Sequence, residues 1–311
     1  MQTCKSEDGC SHTRFWEVFS KRALEAGDDF TRRHKYTPRP TDIIVVGAPK
    51  TGTTWVQQIL HQMRTKGDMS FKDIYDVSWW LPSYYMSVEG EDVFEQDQPA
   101  NPRILKSHEG YDEIPKGPGV KYIFITRDPL DTLWSFMKFI NGFMGDGDDT
   151  VPDDLMLEYL NGPAFKLGKS VNAMTVSWWP ARNDPNVLFV TFEDLKENLK
   201  GCIERIAAFV QISLTAEELN IVHEHSTFEF MSKHKDKFKG DSEIIQKVMQ
   251  LLDWKPKAGM VRPDGGKSGE GKTQLSEPLK KFMLDEFSDT VTKSLGFTNY
   301  DQLREALSLL K

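Results

Sequence analysis

Short apolar runs and longer periodic segments alternate along the chain. Ile43-Ile44-Val45-Val46 is a continuous β-branched run that stops at Gly47, and it predicts a strand over 43–47. Pro38 and Pro40 mark the entry to it. Similar short runs predict strands over 103–106, 122–126 and 187–191. Between them the apolar period lengthens. Trp55, Val56, Ile59, Leu60 and Met63 form one stripe, which predicts a helix over 53–64. Asp128 supplies an N-cap and Pro129 a first helical residue, so a helix is expected over 129–143. Further helices are expected over 194–209, 215–225, 241–254 and 278–294. A Thr215/Glu218 capping box opens the second of these, and the last closes the chain.

Strands alternating with helices predict βαβ units. The fold expected is therefore α/β: one domain over 37–311 with a central parallel sheet flanked by helices. Residues 1–36 read as a polar tail with short helices. Residues 255–275 are Gly- and Lys-rich, lack a period and are too long for an ordinary connection, so they read as a functional lid or a linker. No internal repeat is present.

Composition narrows the function. Hydrophobic residues make up 39% of the 311, enough for a substantial core. The formal net charge of −8 counts against a nucleic-acid partner, so cations that serve an anionic ligand must be gathered locally. Cys4, Cys10 and Cys202 cannot form a paired framework and show no metal-ligand spacing, which fits a reducing compartment. No apolar stretch approaches the ~18 residues that cross a bilayer. Met1 to Ser11 lack the apolar centre of a signal peptide. A cytoplasmic protein without a membrane partner is expected.

The segment that follows the first strand carries the most chemistry. Gly47-Ala48-Pro49-Lys50-Thr51-Gly52-Thr53-Thr54-Trp55 is a small-residue loop running into a hydroxyl-rich helix start. Such a strand–loop–helix cradles phosphate, because loop N–H groups and the positive helix end point at the ligand. The spacing approaches the nucleotide-binding P-loop, but Thr53 holds the lysine position and the lysine stands upstream at Lys50. Other strand ends add polar groups: Lys106, Ser107 and His108 after the second, Arg127 after the third, with Ser135 two turns into the next helix. Ligands of open α/β sheets bind beyond the carboxyl ends of the strands, so these residues converge on one crevice.

Pro49-Lys50-Thr51-Gly52-Thr53-Thr54-Trp55 resembles the 5′-phosphosulfate loop of the cytosolic sulfotransferases, which usually have Ser where Thr51 stands. Those enzymes move a sulfuryl group from 3′-phosphoadenosine-5′-phosphosulfate (PAPS) to an alcohol, phenol or amine. Lys106-Ser107-His108 resembles the family's Lys-Ser-His, which implies His108 as catalytic base with Lys50 and Lys106 as catalytic cations. Arg127-Asp128-Pro129-Leu130-Asp131 with Ser135 resembles the element that binds the 3′-phosphate. Phe192-Glu193-Asp194-Leu195-Lys196 and Ser226-Thr227-Phe228 are similar to segments beside the adenine, and Trp55 falls where the family stacks an indole on the purine. The resemblance thus implies a PAPS site of Lys50, Thr51, Gly52, Thr53, Thr54, Trp55, Arg127, Ser135, Phe192, Thr227, Phe228, Arg262, Gly265 and Gly266, with no metal.

The chain departs from the family pattern near its end. Arg262 to Lys272 fit the family's Arg-Lys-Gly-x-x-Gly-Asp-Trp-Lys only with about two extra residues, and Gly271 replaces the Trp. Counted from Lys272, the family's dimerising segment is not preserved: Ser276 and Glu277 stand for Thr-Val, and Lys281 for the final Glu. A monomer or a homodimer is expected. Trp79, Trp80, Phe139 and Phe143 are the expected walls of a pocket for an aromatic or amphipathic small-molecule acceptor, with Tyr84 and Tyr85 as further candidates. The acidic run Asp146, Asp148 and Asp149 reads as a solvated loop. The alternative is a P-loop small-molecule kinase with Asp128 and Thr54 at Mg²⁺, against which Thr53 at the lysine position counts.

Overall fold

Alternate residues of β1 (Ile43–Val46) face opposite sides of the sheet, and both sides are apolar. That is why the run is continuously β-branched: a parallel strand covered on both faces has no polar side. The computed structural model describes residues 36–81, 96–144 (backbone only over 141–144), 151–162, 170–240, 242–243, 246 and 267–310. The tail up to residue 35, nearly all of the helix expected over 241–254 and most of the 255–275 segment lie outside the described residues.

Five parallel strands form the sheet among the described residues: β1, β2 (Trp79–Trp80), β3 (Ile104–Ser107), β4 (Lys121–Thr126) and β5 (Val187–Thr191), in the order β2-β3-β1-β4-β5. The expected parallel α/β sheet flanked by helices is the one found, with β2 added at one edge. Strand order reverses at β1, so the crevice beyond β1, β3 and β4 is a topological switch point.

Helix α1 (Thr53–Thr65) covers one face, packing Val56, Ile59, Leu60 and Met63 on Ile43, Val45, Ile104, Ile123 and Ile125. Trp178, Phe287, Val291 and Leu303 cover the other face, against Ile44, Val46, Leu105 and Phe124. At the amino ends of β1 and β3, Arg103 grips Asp42 with two hydrogen bonds of 2.8 and 2.7 Å, and both are almost fully buried. Tyr36 donates to the same carboxylate at 2.7 Å.

Several helices follow expectation. Asp128 Oδ1 accepts the N–H groups of Leu130 and Asp131 and caps α3 (Pro129–Met144), after the short α2 (Ile74–Val77) that the period did not reveal. The helix expected over 194–209 is two, Phe192–Glu197 and Leu199–Val210, because Asn198 leaves the helical region and its side chain caps the second at Gly201. The capping box Thr215/Glu218 opens Ala216–His225 as expected. The chain does not close at 294. A helix over Tyr300–Ser308 follows and packs Leu303 and Leu307 into the core. No helix among the described residues is long and apolar enough to cross a membrane.

Candidate active site

The loop between β1 and α1 is built by close approach. A side chain at Gly47 would meet the carbonyl oxygen of Ile125 at 2.4 Å, so only glycine lets β1 turn beside β4. Lys50 sits at φ 70, a left-handed conformation that costs a residue with a β-carbon about 1–2 kcal/mol. Gly52 follows at φ 108 as the N-cap of α1 and offers no side chain to cap it. The first-turn N–H groups of a helix have no partner within the helix. Trp55 N–H turns back to Gly52 O at 2.9 Å, while Thr53 and Thr54 add hydroxyls to the same turn. This geometry suits a phosphate or a phosphate-like group. Thr51 is spent differently, since its buried hydroxyl donates to Ala48 O at 2.8 Å within the loop.

The register places the reacting groups. Val46 pairs with Ser107, so Gly47 and His108 stand side by side one residue beyond. His108 Nδ1 lies 2.5 Å from the Gly47 carbonyl oxygen. A carbonyl only accepts, so Nδ1 carries the proton and Nε2 of the neutral ring keeps its lone pair. Burial, then the charges of Lys106 and Lys50, pull the His108 pKa down to about 3 against the pull of the Gly47 bond. His108 is therefore neutral at pH 7.

Lys106 is buried, and its ammonium donates to the Tyr75 hydroxyl at 2.8 Å. Burial and then Lys50 lower its pKa to about 7. Lys50 Nζ lies 4.4 Å from the centre of the Phe139 ring, so that expected wall residue stands beside the loop lysine. Trp80 pairs with Lys106 across β2 and β3, and its ring meets His108 edge-on with centroids 6.0 Å apart. Trp79 points to the other face and packs into the core with Leu105 and Phe124, as alternation along a strand requires. Phe143, Tyr84, Tyr85 and the acidic run lie outside the described side chains.

A second group of residues continues the crevice past β4. Arg127 is buried with its guanidinium 4.0 Å from the centre of the Phe192 ring. Asp131 and Ser135 lie four apart in α3, Arg127 just before the helix comes within 3.9 Å of the Asp131 carboxylate, and Ser135 is buried too. Asp131 accepts the N–H groups of Gly269 and Gly271 at 2.7 and 2.8 Å. Gly271 lies so close to the Leu130 backbone that a β-carbon would overlap it, which explains a glycine there. Arg262, Gly265 and Gly266 lie outside the described residues.

Trp55 Nε1 donates to Ser226 O at 2.6 Å, and its ring meets Phe192 edge-on at 5.6 Å. Trp55 thus joins the two expected adenine segments. Thr227 caps the helix Phe228–Lys233 through Phe230 N–H, and Phe228 is exposed.

The sulfotransferase domain family matches residues 40–267. The chain belongs to that family. Amine sulfotransferase of Oryctolagus cuniculus is 29% identical over 226 residues, 72% of this chain and 71% of its own. Sulfotransferase 2A1 of Homo sapiens is 29% identical over 278 residues, 83% of this chain and 88% of its own. Among solved structures, retinol dehydratase in a complex with retinol and PAP superposes with a TM-score of 0.64 at 20% identity, over 83% of each chain. Mouse sulfotransferase SULT7A1 complexed with PAP gives 0.60 at 19%, over 88% of this chain and 89% of its own. These structures show the shared fold. The protein is a sulfotransferase, an enzyme that transfers a sulfuryl group to an acceptor.

Two features of the sulfotransferase site were missed in the sequence. Tyr75 sits on a four-residue helix, too short to show a period. Glu193 receives both Tyr300 OH, at 2.7 Å, and Asp128 N–H, at 3.2 Å, and so ties the last helix to the Arg127 turn. That contact spans 107 residues of sequence, and nothing local announces it.

Proposed function

We propose that the sulfuryl donor is PAPS and that His108 is the general base toward a small aromatic or amphipathic phenol, alcohol or amine. The observation that carries this reading is the fixed tautomer of His108 between two lysines at the mouth of an uncapped phosphate loop. A base must be neutral and must present a lone pair, and His108 meets both conditions. The solved relatives were crystallised with PAP, the product that PAPS leaves behind, which supports the donor assignment.

The donor brings an activated sulfuryl group with a phosphate as its leaving group. The chain's residues hold and neutralise it. Gly52, Thr53 and Thr54 present backbone N–H groups and hydroxyls to the 5′-phosphate. Lys50 supplies positive charge where the bridging oxygen is released, and Lys106 faces the sulfuryl oxygens. Arg127 and Ser135 hold the 3′-phosphate, for which the guanidinium fork is suited. Trp55, Phe192 and Phe228 border the base. The lysines supply the charge that Mg²⁺ supplies in kinases. This reading makes the enzyme cytoplasmic, working as a monomer or homodimer.

The test is incubation with labelled PAPS and a panel of phenols, alcohols and amines, with labelled ATP and Mg²⁺ as the control donor. Label passing from PAPS to an acceptor supports the reading. Label passing only from ATP overturns it.

A further inference from the structure

Lys106 cannot act on a sulfuryl group unless its ammonium is held and kept protonated, and its surroundings oppose both. It is buried, it lies beside Lys50, and burial and that charge bring its pKa to about 7. The ammonium is boxed by two rings, with Nζ 5.2 Å from the centre of Tyr75 and 5.9 Å from that of Trp80. It donates a hydrogen bond to the Tyr75 hydroxyl, at 2.8 Å.

We propose that Tyr75 is a positioning residue that holds the Lys106 ammonium in place and favours its charged form. The inference rests on Lys106 having the role given above. The phenol oxygen accepts from Lys106 Nζ at 2.8 Å, and a hydrogen bond offered to the charged amine opposes the effect of burial.

The scaffold beneath Tyr75 is rigid. Asp73 caps α2 by accepting Tyr75 N–H at 3.0 Å, while Asp76 accepts Asp73 N–H at 2.9 Å. Asp73 also accepts Gly240 N–H at 2.8 Å, and Gln57 of α1 donates to Ser78 O at 3.1 Å. The phenol therefore has one place to put its oxygen. Tyr75 is almost fully buried, so its hydroxyl is supported by these contacts and not by bulk water.

The test uses the full chain and Tyr75→Phe, Lys106→Met and the double variant. The readouts are kcat, KM for PAPS, and the pH profile of kcat/KM. Removing the hydroxyl takes away a hydrogen bond to a charged group, so kcat should fall about 10-fold or more. The alkaline limb of the profile should move to lower pH, because Lys106 loses a group that favours its charged form. In the Lys106→Met background, Tyr75→Phe should change kcat by less than about twofold. An unshifted profile with kcat retained overturns the proposal. So does an equal loss in both backgrounds, which would mean a structural role only. Should Tyr75→Phe fail to fold, 4-aminophenylalanine at position 75 keeps the shape of the ring and replaces the oxygen by a poor acceptor. It must shift the alkaline limb the same way, and an unshifted limb overturns the proposal. A wild-type protein that transfers nothing from PAPS removes the underlying reading, and is told apart by failing before any variant is compared.

Discussion

His108 Nδ1 is bonded to the carbonyl oxygen of Gly47, the glycine that ends β1 and begins the phosphate loop. One backbone turn thus shapes the loop and sets the proton position of the His108 imidazole. Any movement of the loop at Gly47 moves the imidazole with it. The pairing follows from register, since Val46 opposite Ser107 puts the next residue of each strand, Gly47 and His108, side by side.

The first prediction concerns pH. An ordinary histidine base loses activity as pH falls through about 6.5. Burial, Lys106 and Lys50 place the His108 pKa at about 3, so the ring stays neutral well below that point. The kcat/KM profile should show no acid-side loss between pH 7 and about 5. An inflection near 6.5 that disappears in a His108 variant would show that the lysines do not act on the ring as described.

Arg127→Ala should weaken binding of the bisphosphate nucleotide by about 1.5–3 kcal/mol, the worth of a charge-assisted contact. Adenosine monophosphate, which lacks the 3′-phosphate, should lose less, since it is affected only indirectly, through the contacts of Arg127 with the Phe192 ring and the Lys50 carbonyl. Ser135→Ala should follow the same pattern on a smaller scale. Calorimetry with both ligands checks this, and equal losses would take both residues out of the 3′-phosphate site.

Asp42 and Arg103 predict a large stability effect far from the chemistry. Both are almost wholly buried and bonded in a fork. Asp42→Ala strands a buried guanidinium and should cost about 3–5 kcal/mol in urea unfolding. Replacing both by apolar residues of similar volume should recover most of that loss. A single-variant cost below about 1 kcal/mol would show the pair to be hydrated.

Acid stability should report His61. It is buried on α1, and burial followed by the Arg64 charge lowers its pKa to about 4. The unfolded chain protonates it near 6.5. Between those values the unfolded state holds more protons, so stability falls as pH falls from 6.5 to 4, by up to about 3 kcal/mol. His61→Gln should flatten this part of the curve. An unchanged slope between wild type and variant would assign the acid loss to other groups.

The candidate site was legible because its residues are local to strand ends. Lys50, His108 and Arg127 each follow an apolar run that could be read as a strand. The parallel sheet was legible for the same reason, since runs such as 43–46 and 122–125 have no polar face. What stayed hidden depends on distant or very short elements. β2 has two residues and gains its place only by pairing with β3, so its alternation, which sends Trp79 to the core and Trp80 to the site, could not be read. Tyr75 reaches Lys106 across 31 residues of sequence. The break at Asn198 is a capping choice that competes with an otherwise helical pattern. Residues 300–308 had an apolar stripe, yet their role in holding Glu193 needed the fold.

The most direct test is a single turnover with PAPS already bound to the protein, started by adding acceptor, in wild type and in His108→Ala. The account predicts acceptor-dependent appearance of sulfated product and of bisphosphate nucleotide in the wild type. In His108→Ala the rate should drop about 10²–10⁴-fold while PAPS binding stays within a few fold, because the base acts on the acceptor and not on the nucleotide. A variant that keeps more than about a tenth of the rate, with PAPS still bound, would contradict His108 as the general base.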